Sequence, residues 1–128
     1  MMTEYQRRIQ FYETDAMGIV HHAIYLHLFE EARTDLLRTQ GLLGEDRLEK
    51  INFPVLECHV DYKKPLYYDD VVSIVVRLKS DRLRLYFDYE LSTKRYPEVA
   101  AFGKTIHVAM DMVMRKPQRL PGPLANLS

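Results

Sequence analysis

The 128-residue sequence contains no tryptophan, a single cysteine and no excess of either charge. Because Cys58 has no second cysteine to pair with, an intrachain disulfide is impossible, and a reducing, cytoplasmic location is expected. Eighteen Lys and Arg residues balance eighteen Asp and Glu residues, which argues against a general attraction to nucleic acid or acidic membranes. No apolar run approaches the ~20 residues of a membrane-spanning helix, and the first residues do not resemble a secretory signal. We therefore expect no nucleic-acid partner, no membrane insertion and no export.

The overall composition is typical of an ordered protein with one hydrophobic core. Hydrophobic residues make up 47% of the sequence and charged residues 28%, so the chain needs neither disulfides nor a membrane to fold. A chain of this length is typical of one domain and buries roughly two-thirds of its surface on folding. We expect a single domain over residues 1–128, with a proline-rich C-terminal tail, 117–128, that is extended or frayed.

The first clear periodicity, between His21 and Gln40, predicts an amphipathic helix of about five turns. Its apolar residues recur at spacings of three and four: Tyr25, Leu28, Phe29, Ala32 and Leu36. Gly41 follows at the position where a C-terminal cap is expected.

After Pro54 the pattern changes to alternation, which predicts strands. The strongest example is 83–91, where every odd position is apolar or aromatic. Further strands are expected at 5–12, 55–62, 71–79 and 99–114. The last of these exceeds the usual length of a strand, so we expect a bulge or bend at Gly103. One long helix and a mainly antiparallel, five-stranded sheet make an α+β architecture.

The loop between the first strand and the helix is the strongest candidate for a functional site, because loops held by rigid elements often carry function. It reads Y-E-T-D-A-M-G-I-V-H-H from Tyr12 to His22. Asp15 precedes Gly18, which permits a sharp turn, and the turn leads to a helix amino end whose free N–H groups can polarise a carbonyl oxygen. Asp15 can also simply cap the helix. Spacing alone leaves both interpretations open.

This loop, together with F-E-E-A-R at 29–33, closely resembles the signature of hotdog-fold acyl-CoA thioesterases. The sequence is similar to the YbgC-type branch of the 4-hydroxybenzoyl-CoA thioesterase family. Segments 61–71, 103–111 and 116–121 are similar to later parts of the family pattern, so the resemblance covers nearly the whole chain. It implies the hotdog fold, in which a long central helix is wrapped by a curved antiparallel sheet.

The resemblance also implies which residues form the site. The family's catalytic carboxylate falls on Asp15 and the histidine of this branch on His22. The positions that hold the thioester oxygen or bind substrate fall on Gly18, Ile19, Val20 and Tyr25. Where the family commonly has a tyrosine, four positions before the carboxylate, this sequence has Phe11.

Thioester hydrolysis requires attack on a carbonyl carbon and stabilisation of the negative charge that develops on its oxygen. Asp15 is expected to serve either as a nucleophile that forms an acyl-enzyme anhydride or as a general base that activates water. Amides at the helix amino end would form the oxyanion hole. Because the CoA thiolate is a good leaving group, no dedicated general acid is expected. The resemblance implies neither a metal nor a redox cofactor.

The other reactive side chains have simpler explanations or a supporting role. His22 and His27 are five residues apart and project about 140° from each other on a helix, which argues against a zinc site. Lys63 and Lys64 form a basic edge that could bind CoA phosphates, or they are ordinary surface lysines. Cys58 is interpreted as a core residue and not as a nucleophile.

We therefore expect an acyl-CoA thioesterase that converts a fatty or aromatic acyl-CoA to free acid and CoA. The alternative is a non-catalytic hotdog module that binds acyl-CoA or an acyl-carrier protein and does not require Asp15. The resemblance implies a homodimer that assembles into a homotetramer, with acyl-CoA as substrate and an acyl-carrier protein as a further candidate partner.

Overall fold

A long helix packs against an antiparallel sheet in the computed structural model, which describes residues 1–42 and 51–128. The helix is α1 (Ile24–Thr39). The described residues form seven strands: β1 (Met2–Arg8), β2 (Ile51–Asn52), β3 (Val55–Tyr62), β4 (Val71–Ser80), β5 (Arg84–Thr93), β6 (Ala101–Asp111) and β7 (Lys116–Gln118). Short 3-10 helices lie at Phe11–Glu13 and Gly122–Leu124. The predicted α+β class is confirmed.

The strands lie in the order β3, β6, β5, β4, β1, and all neighbouring pairs are antiparallel. The short strands β2 and β7 pair with β6 between residues 109 and 111. The prediction of five strands is therefore wrong. The two additional strands contain two and three residues, which is too short for an alternating pattern to be recognised.

Helix α1 has the predicted apolar face but is shorter than the segment from His21 to Gln40. The five apolar residues of that face are all at most 3% exposed: Tyr25, Leu28, Phe29, Ala32 and Leu36. The helix begins late because His21 accepts the N–H of Ala23 through its ring Nδ1 and the N–H of Ile24 through its backbone oxygen. It ends before Gly41, whose φ of +70° favours glycine. Within the described ranges, no helix has the length and apolar character required to span a bilayer.

The central strands supply the other half of the core. In β5 the odd-numbered residues are buried, whereas the even-numbered residues are exposed or half-buried. The predicted alternation is confirmed there, apart from Leu83, which precedes the strand and is exposed. β4 and β6 alternate in the same way, so all three strands place one buried face toward the core that they share with α1.

Gly103 lies in an undistorted part of β6, and the predicted bulge at this residue is wrong. The register runs without a shift from Ala101 past Gly103 against both β5 and β3, and the irregular register lies between Val55 and Glu57 of β3. A Cβ atom on Gly103 would lie 2.3 Å from Cε2 of Phe29. The glycine is therefore needed because the buried ring of Phe29 rests directly on the strand.

The two ends of the described chain follow the predicted pattern only in part. β1 stops at Arg8 and is followed by the 3-10 helix, so the expected strand at 5–12 is correct only in part. Of the two alternatives expected for the C-terminal tail, its first residues are extended and not frayed, because β7 pairs with β6, and Leu120 and Leu124 are buried. The N–H of Leu120 donates to the carbonyl of Arg82 at 2.9 Å, so the tail packs beside the β4–β5 hairpin.

Cys58 is exposed, and its interpretation as a core residue is wrong. It lies in β3, which among the described residues pairs with β6 alone. Seven of the eight β3 residues are exposed. A position at the edge of the sheet, outside the apolar core, explains why alternation in this strand does not correspond to burial.

A chain of hydrogen bonds crosses the core from β6 to β5. The ring Nδ1 of His107 lies 3.0 Å from the carbonyl oxygen of Phe53, and its Nε2 lies 2.9 Å from Oγ1 of Thr105. Because a carbonyl only accepts, Nδ1 carries the proton and Nε2 accepts the Thr105 hydroxyl. The Tyr89 hydroxyl then donates to Thr105 at 2.7 Å. Burial lowers the pKa of His107, so the ring is neutral in the folded protein.

The neutral state of His107 predicts a pH-dependent stability. In the unfolded chain a histidine takes up a proton near pH 6.5, whereas the folded ring does so only at lower pH. The free energy of unfolding should therefore have its full value above about pH 6.5. It should decrease as the pH is lowered from 6.5, by at most ~1.4 kcal/mol per pH unit. Urea unfolding at several pH values measures this slope. His107→Gln should lose that part of the slope, and an identical slope in both proteins would contradict the prediction.

Candidate active site

The loop that enters α1 is closed by a tight turn at Asp15. The N–H of Gly18 donates to the carbonyl of Asp15 at 3.0 Å, and Gly18 has a left-handed φ of +81°. The N–H of Asp15 donates in turn to the carbonyl of Ile19 at 2.8 Å. Gly18 is required here because residues with a side chain rarely adopt this backbone conformation.

The carboxylate of Asp15 does not cap the helix. Its Oδ1 accepts the N–H of Met17 at 2.8 Å, within the turn itself, while the His21 ring accepts the N–H of Ala23 at the start of α1. Oδ2 has no hydrogen-bond partner within residues 1–42 and 51–128. One oxygen therefore orients the carboxylate and the other is available for chemistry.

Asp15 borders a cleft of about 420 Å³ that is lined by residues from distant parts of the chain. The lining residues are Asp15, Met17, Ile19, Val20, His22, Tyr25, Tyr62, Lys63, Lys64 and Pro65. All the predicted site residues except Gly18 are among them. Met17, Tyr62 and Pro65 were not predicted, although Tyr62 directly precedes the lysine pair in the sequence.

The three predicted amide donors differ in what they already bind. Gly18 donates to Asp15, and the N–H of Val20 donates to the carbonyl of Leu66 at 2.8 Å. The N–H groups of Ile19 and His22 have no acceptor in the part of the chain that the structure describes. Gly18 and Val20 therefore shape the turn, while Ile19 and His22 have amides free to stabilise a negative oxygen.

Tyr25 and Tyr62 form an aromatic wall beside His22. Their rings meet edge to face with centroids 4.8 Å apart, and the Tyr62 hydroxyl donates to the carbonyl of His22 at 2.9 Å. Burial raises the pKa of Tyr25 to about 12, so its hydroxyl remains protonated and neutral at physiological pH. The His22 ring stacks on that of His21 with centroids 4.3 Å apart.

The Tyr62 hydroxyl should contribute to the geometry at His22, and Tyr62→Phe tests this. Loss of one hydrogen bond of ~1 kcal/mol predicts a kcat/KM that is roughly 5-fold lower. Stability should change little because Tyr62 is half-exposed. Tyr68→Phe, at another exposed tyrosine, is the control. Steady-state thioester hydrolysis by both variants measures the difference, and equal kcat/KM values would remove Tyr62 from the site.

Lys63 and Lys64 reach the edge of the cleft but already have acidic neighbours. The Lys63 ammonium lies 3.3 Å from Asp61, and the Lys64 ammonium lies 3.3 Å from Glu98. Both pairs are well exposed, and exposed ion pairs are weak enough for an anionic ligand to replace the carboxylate. The backbone at both lysines is fixed, since both N–H groups donate to the carbonyl of Ala100.

The remaining candidates lie apart from this cleft. Phe11 is 74% exposed and meets Tyr68 edge to face, while His27 and His59 are exposed on α1 and β3. Across residues 1–42 and 51–128, no group of three or more His, Cys, Asp or Glu side chains could hold a metal ion.

A long helix packed on an antiparallel sheet is consistent with the fold of the hotdog thioesterases. The chain belongs to the Thioesterase-like superfamily, whose family model matches residues 9–126.

Individual relatives agree with this assignment. The chain is 32% identical over 125 residues to a 1,4-dihydroxy-2-naphthoyl-CoA hydrolase of Synechococcus elongatus, covering 92% of this chain and 88% of that protein. It is 28% identical over 115 residues to the acyl-CoA thioester hydrolase YbgC of Escherichia coli O157:H7, covering 89% and 86%. The crystal structure of a DHNA-CoA thioesterase from Staphylococcus aureus superposes with a TM-score of 0.85 at 30% identity, covering 93% and 80%. The protein is a thioester hydrolase.

Proposed function

We propose that the protein hydrolyses acyl-CoA thioesters to the free acid and CoA, and that the Asp15 carboxylate either attacks the thioester or activates the attacking water. The observation that carries the proposal is a cleft that contains His22, the Asp15 Oδ2 and the Ile19 N–H, the last two without a hydrogen-bond partner among residues 1–42 and 51–128. A carboxylate and an oxyanion donor on one cleft are the two groups that the reaction needs.

Two courses of reaction use the same residues. As a nucleophile, Asp15 Oδ2 attacks the carbonyl carbon, the C–S bond breaks, and the CoA thiolate leaves with the electron pair. Water then cleaves the mixed anhydride, which releases the acid and restores the carboxylate. As a general base, Asp15 instead takes a proton from the water that attacks the carbonyl carbon. The C–S bond of the resulting tetrahedral intermediate then breaks, the thiolate leaves with the electron pair, and the proton passes from Asp15 to the thiolate or to solvent. In both courses the N–H groups of Ile19 and His22 stabilise the negative oxygen.

The other cleft residues bind the substrate. Tyr25 and Tyr62 provide an apolar wall for a fatty or aromatic acyl group, and the His22 ring orients the carbonyl or the attacking water. Lys63 and Lys64 contact CoA phosphates after exchanging their carboxylate partners. An acyl-carrier protein could present the same thioester. The names of the relatives support this substrate class, since those proteins act on acyl-CoA and 1,4-dihydroxy-2-naphthoyl-CoA.

We also propose that the working protein is a cytoplasmic homodimer that assembles into a homotetramer. One observation that supports association is the outer edge of β3, which has no strand partner among the described residues and carries exposed Val55 and Leu56. Unprotected strand edges favour pairing with another chain. The exposed, unpaired thiol of Cys58 supports a reducing compartment. Light scattering on the purified protein distinguishes a monomer from the proposed assembly.

A thiol-release assay over short, medium, long and aromatic acyl-CoAs tests the function. Release above the background rate for at least one acyl group is the expected result, and the best substrate defines the acyl class. Background release across the whole set, together with retained acyl-CoA binding in calorimetry, would instead indicate a non-catalytic binding module. An acyl-carrier protein loaded with the best acyl group shows which carrier is preferred.

A further inference from the structure

Glu13, two residues before Asp15, is buried although the proposed reaction does not use it. It is only 3% exposed. Its backbone oxygen accepts the N–H of His21 at 2.9 Å. Glu13 therefore lies at the start of the loop that carries Asp15, and its backbone also binds His21, near the end of the loop.

The Glu13 side chain is anchored from two directions. Its Oε1 accepts the N–H of Gln10 at 2.7 Å and a guanidinium N–H of Arg7 at 2.8 Å, and its Oε2 accepts a second N–H from Arg7. A two-point contact with a guanidinium fixes both position and orientation. Burial alone would raise the pKa of Glu13, but the bonds from Arg7 and Gln10 lower it below its usual range, so the carboxylate is ionised.

Arg7 extends the same cluster from β1 to α1. Its Nη2 donates to Oε2 of Glu31 at 3.2 Å, and the Tyr5 hydroxyl donates to Oε1 of Glu31 at 2.9 Å. The Nε of Arg7 lies 2.7 Å from Glu31 Oε1 but is not directed at an acceptor, so the Nη2 contact is the hydrogen bond. The first strand, the loop and the helix are thus joined through one largely buried arginine.

We propose that Glu13, held by Arg7, is a positioning residue that fixes Asp15 relative to the N–H of His22, which lies just before α1. The inference rests on the proposed function of Asp15. The turn from Asp15 to Gly18 is closed by its own hydrogen bonds, but those bonds do not set its distance from the helix. The Glu13 contacts do, and a displacement of about 1 Å in a reacting group can cost a factor of about 100 in rate.

Glu13→Gln removes the charge of this contact with little change in side-chain size. The matched control is Glu90→Gln, because Glu90 pairs with Arg77 at 3.4 Å on an exposed part of the sheet. For Glu13→Gln we expect kcat to fall about 10- to 100-fold with KM within about 3-fold of the wild type. Amide hydrogen exchange at Asp15 and His21 should accelerate about 10-fold, while exchange in β5 stays unchanged. Glu90→Gln should show neither effect.

Arg7→Lys provides a second test that keeps the positive charge but loses the two-point contact. It should show the same two effects at a smaller size, and it replaces Glu13→Gln if that variant does not fold. A kcat within 2-fold of the wild type in a folded variant would overturn the positioning role, as would a fall in kcat without faster exchange in the loop. If the wild type hydrolyses no thioester but exchange still accelerates, the proposed function fails while the anchoring of the loop by Glu13 stands.

Discussion

Asp15→Asn should lower kcat about 100- to 1,000-fold with little change in KM, because the variant loses the charge that attacks the thioester or activates water. The fold should be preserved, since the asparagine oxygen can still accept the N–H of Met17 that orients the side chain. Steady-state thiol release by the purified variant, with the best acyl-CoA found for the wild type, measures the effect.

Asp88→Asn is the matched control for this experiment. Asp88 lies in β5 and borders a different surface depression, away from the cleft, so its replacement should leave kcat within 2-fold of the wild type. If Asp15→Asn retained more than about a tenth of the wild-type kcat, Asp15 would not be the reacting group.

Gly103→Ala should destabilise the fold by ~3 kcal/mol, because the added methyl group has no space. It would lie 2.3 Å from the ring of Phe29, which is fully buried and stacked on Tyr89 with centroids 4.5 Å apart. Neither ring can move without displacing the core between α1 and the sheet. Thermal unfolding should show a midpoint roughly 10 °C below that of the wild type.

Two further variants show whether the clash with Phe29 is the cause. Gly122→Ala should leave the midpoint nearly unchanged, since no atom lies within 4 Å of its added Cβ. In the Phe29→Leu background, Gly103→Ala should cost less than in the wild type, because the shorter side chain vacates the space of the ring. Equal costs in both backgrounds would show that the destabilisation has another origin.

The elements that the sequence predicts well are those in which periodicity and burial coincide. The apolar face of α1 and the alternation of β5 are repeated over enough residues to be recognised, and both the helix and the strand bury the expected side. β2 and β7 are too short to show a pattern. The interpretation of Cys58 fails because seven of the eight residues of its strand are exposed, so alternation in that strand does not mark a buried face.

The candidate site also contains residues that are close together in the sequence and residues that are far apart in it. The loop from Asp15 to His22 is continuous in the sequence, so the resemblance of its motif to a known signature is sufficient to predict it as a candidate site. Tyr62 contacts His22 only because β3 passes beside the start of α1, and no local pattern reports such a contact. The role of Gly103 has the same limit, because the ring that requires it belongs to a helix more than 60 residues earlier.

If Lys63 and Lys64 contact CoA phosphates as proposed, their ion pairs affect how an anionic substrate is selected. Lys63 with Asp61, and Lys64 with Glu98, cancel one another's charge at distances beyond the Debye length of ~10 Å. These two ion pairs therefore add little long-range attraction for a negatively charged ligand. In the proposed role, the ammonium groups act only after contact, when they change partners, so discrimination between thioesters with and without phosphates would be expressed in the rate of dissociation.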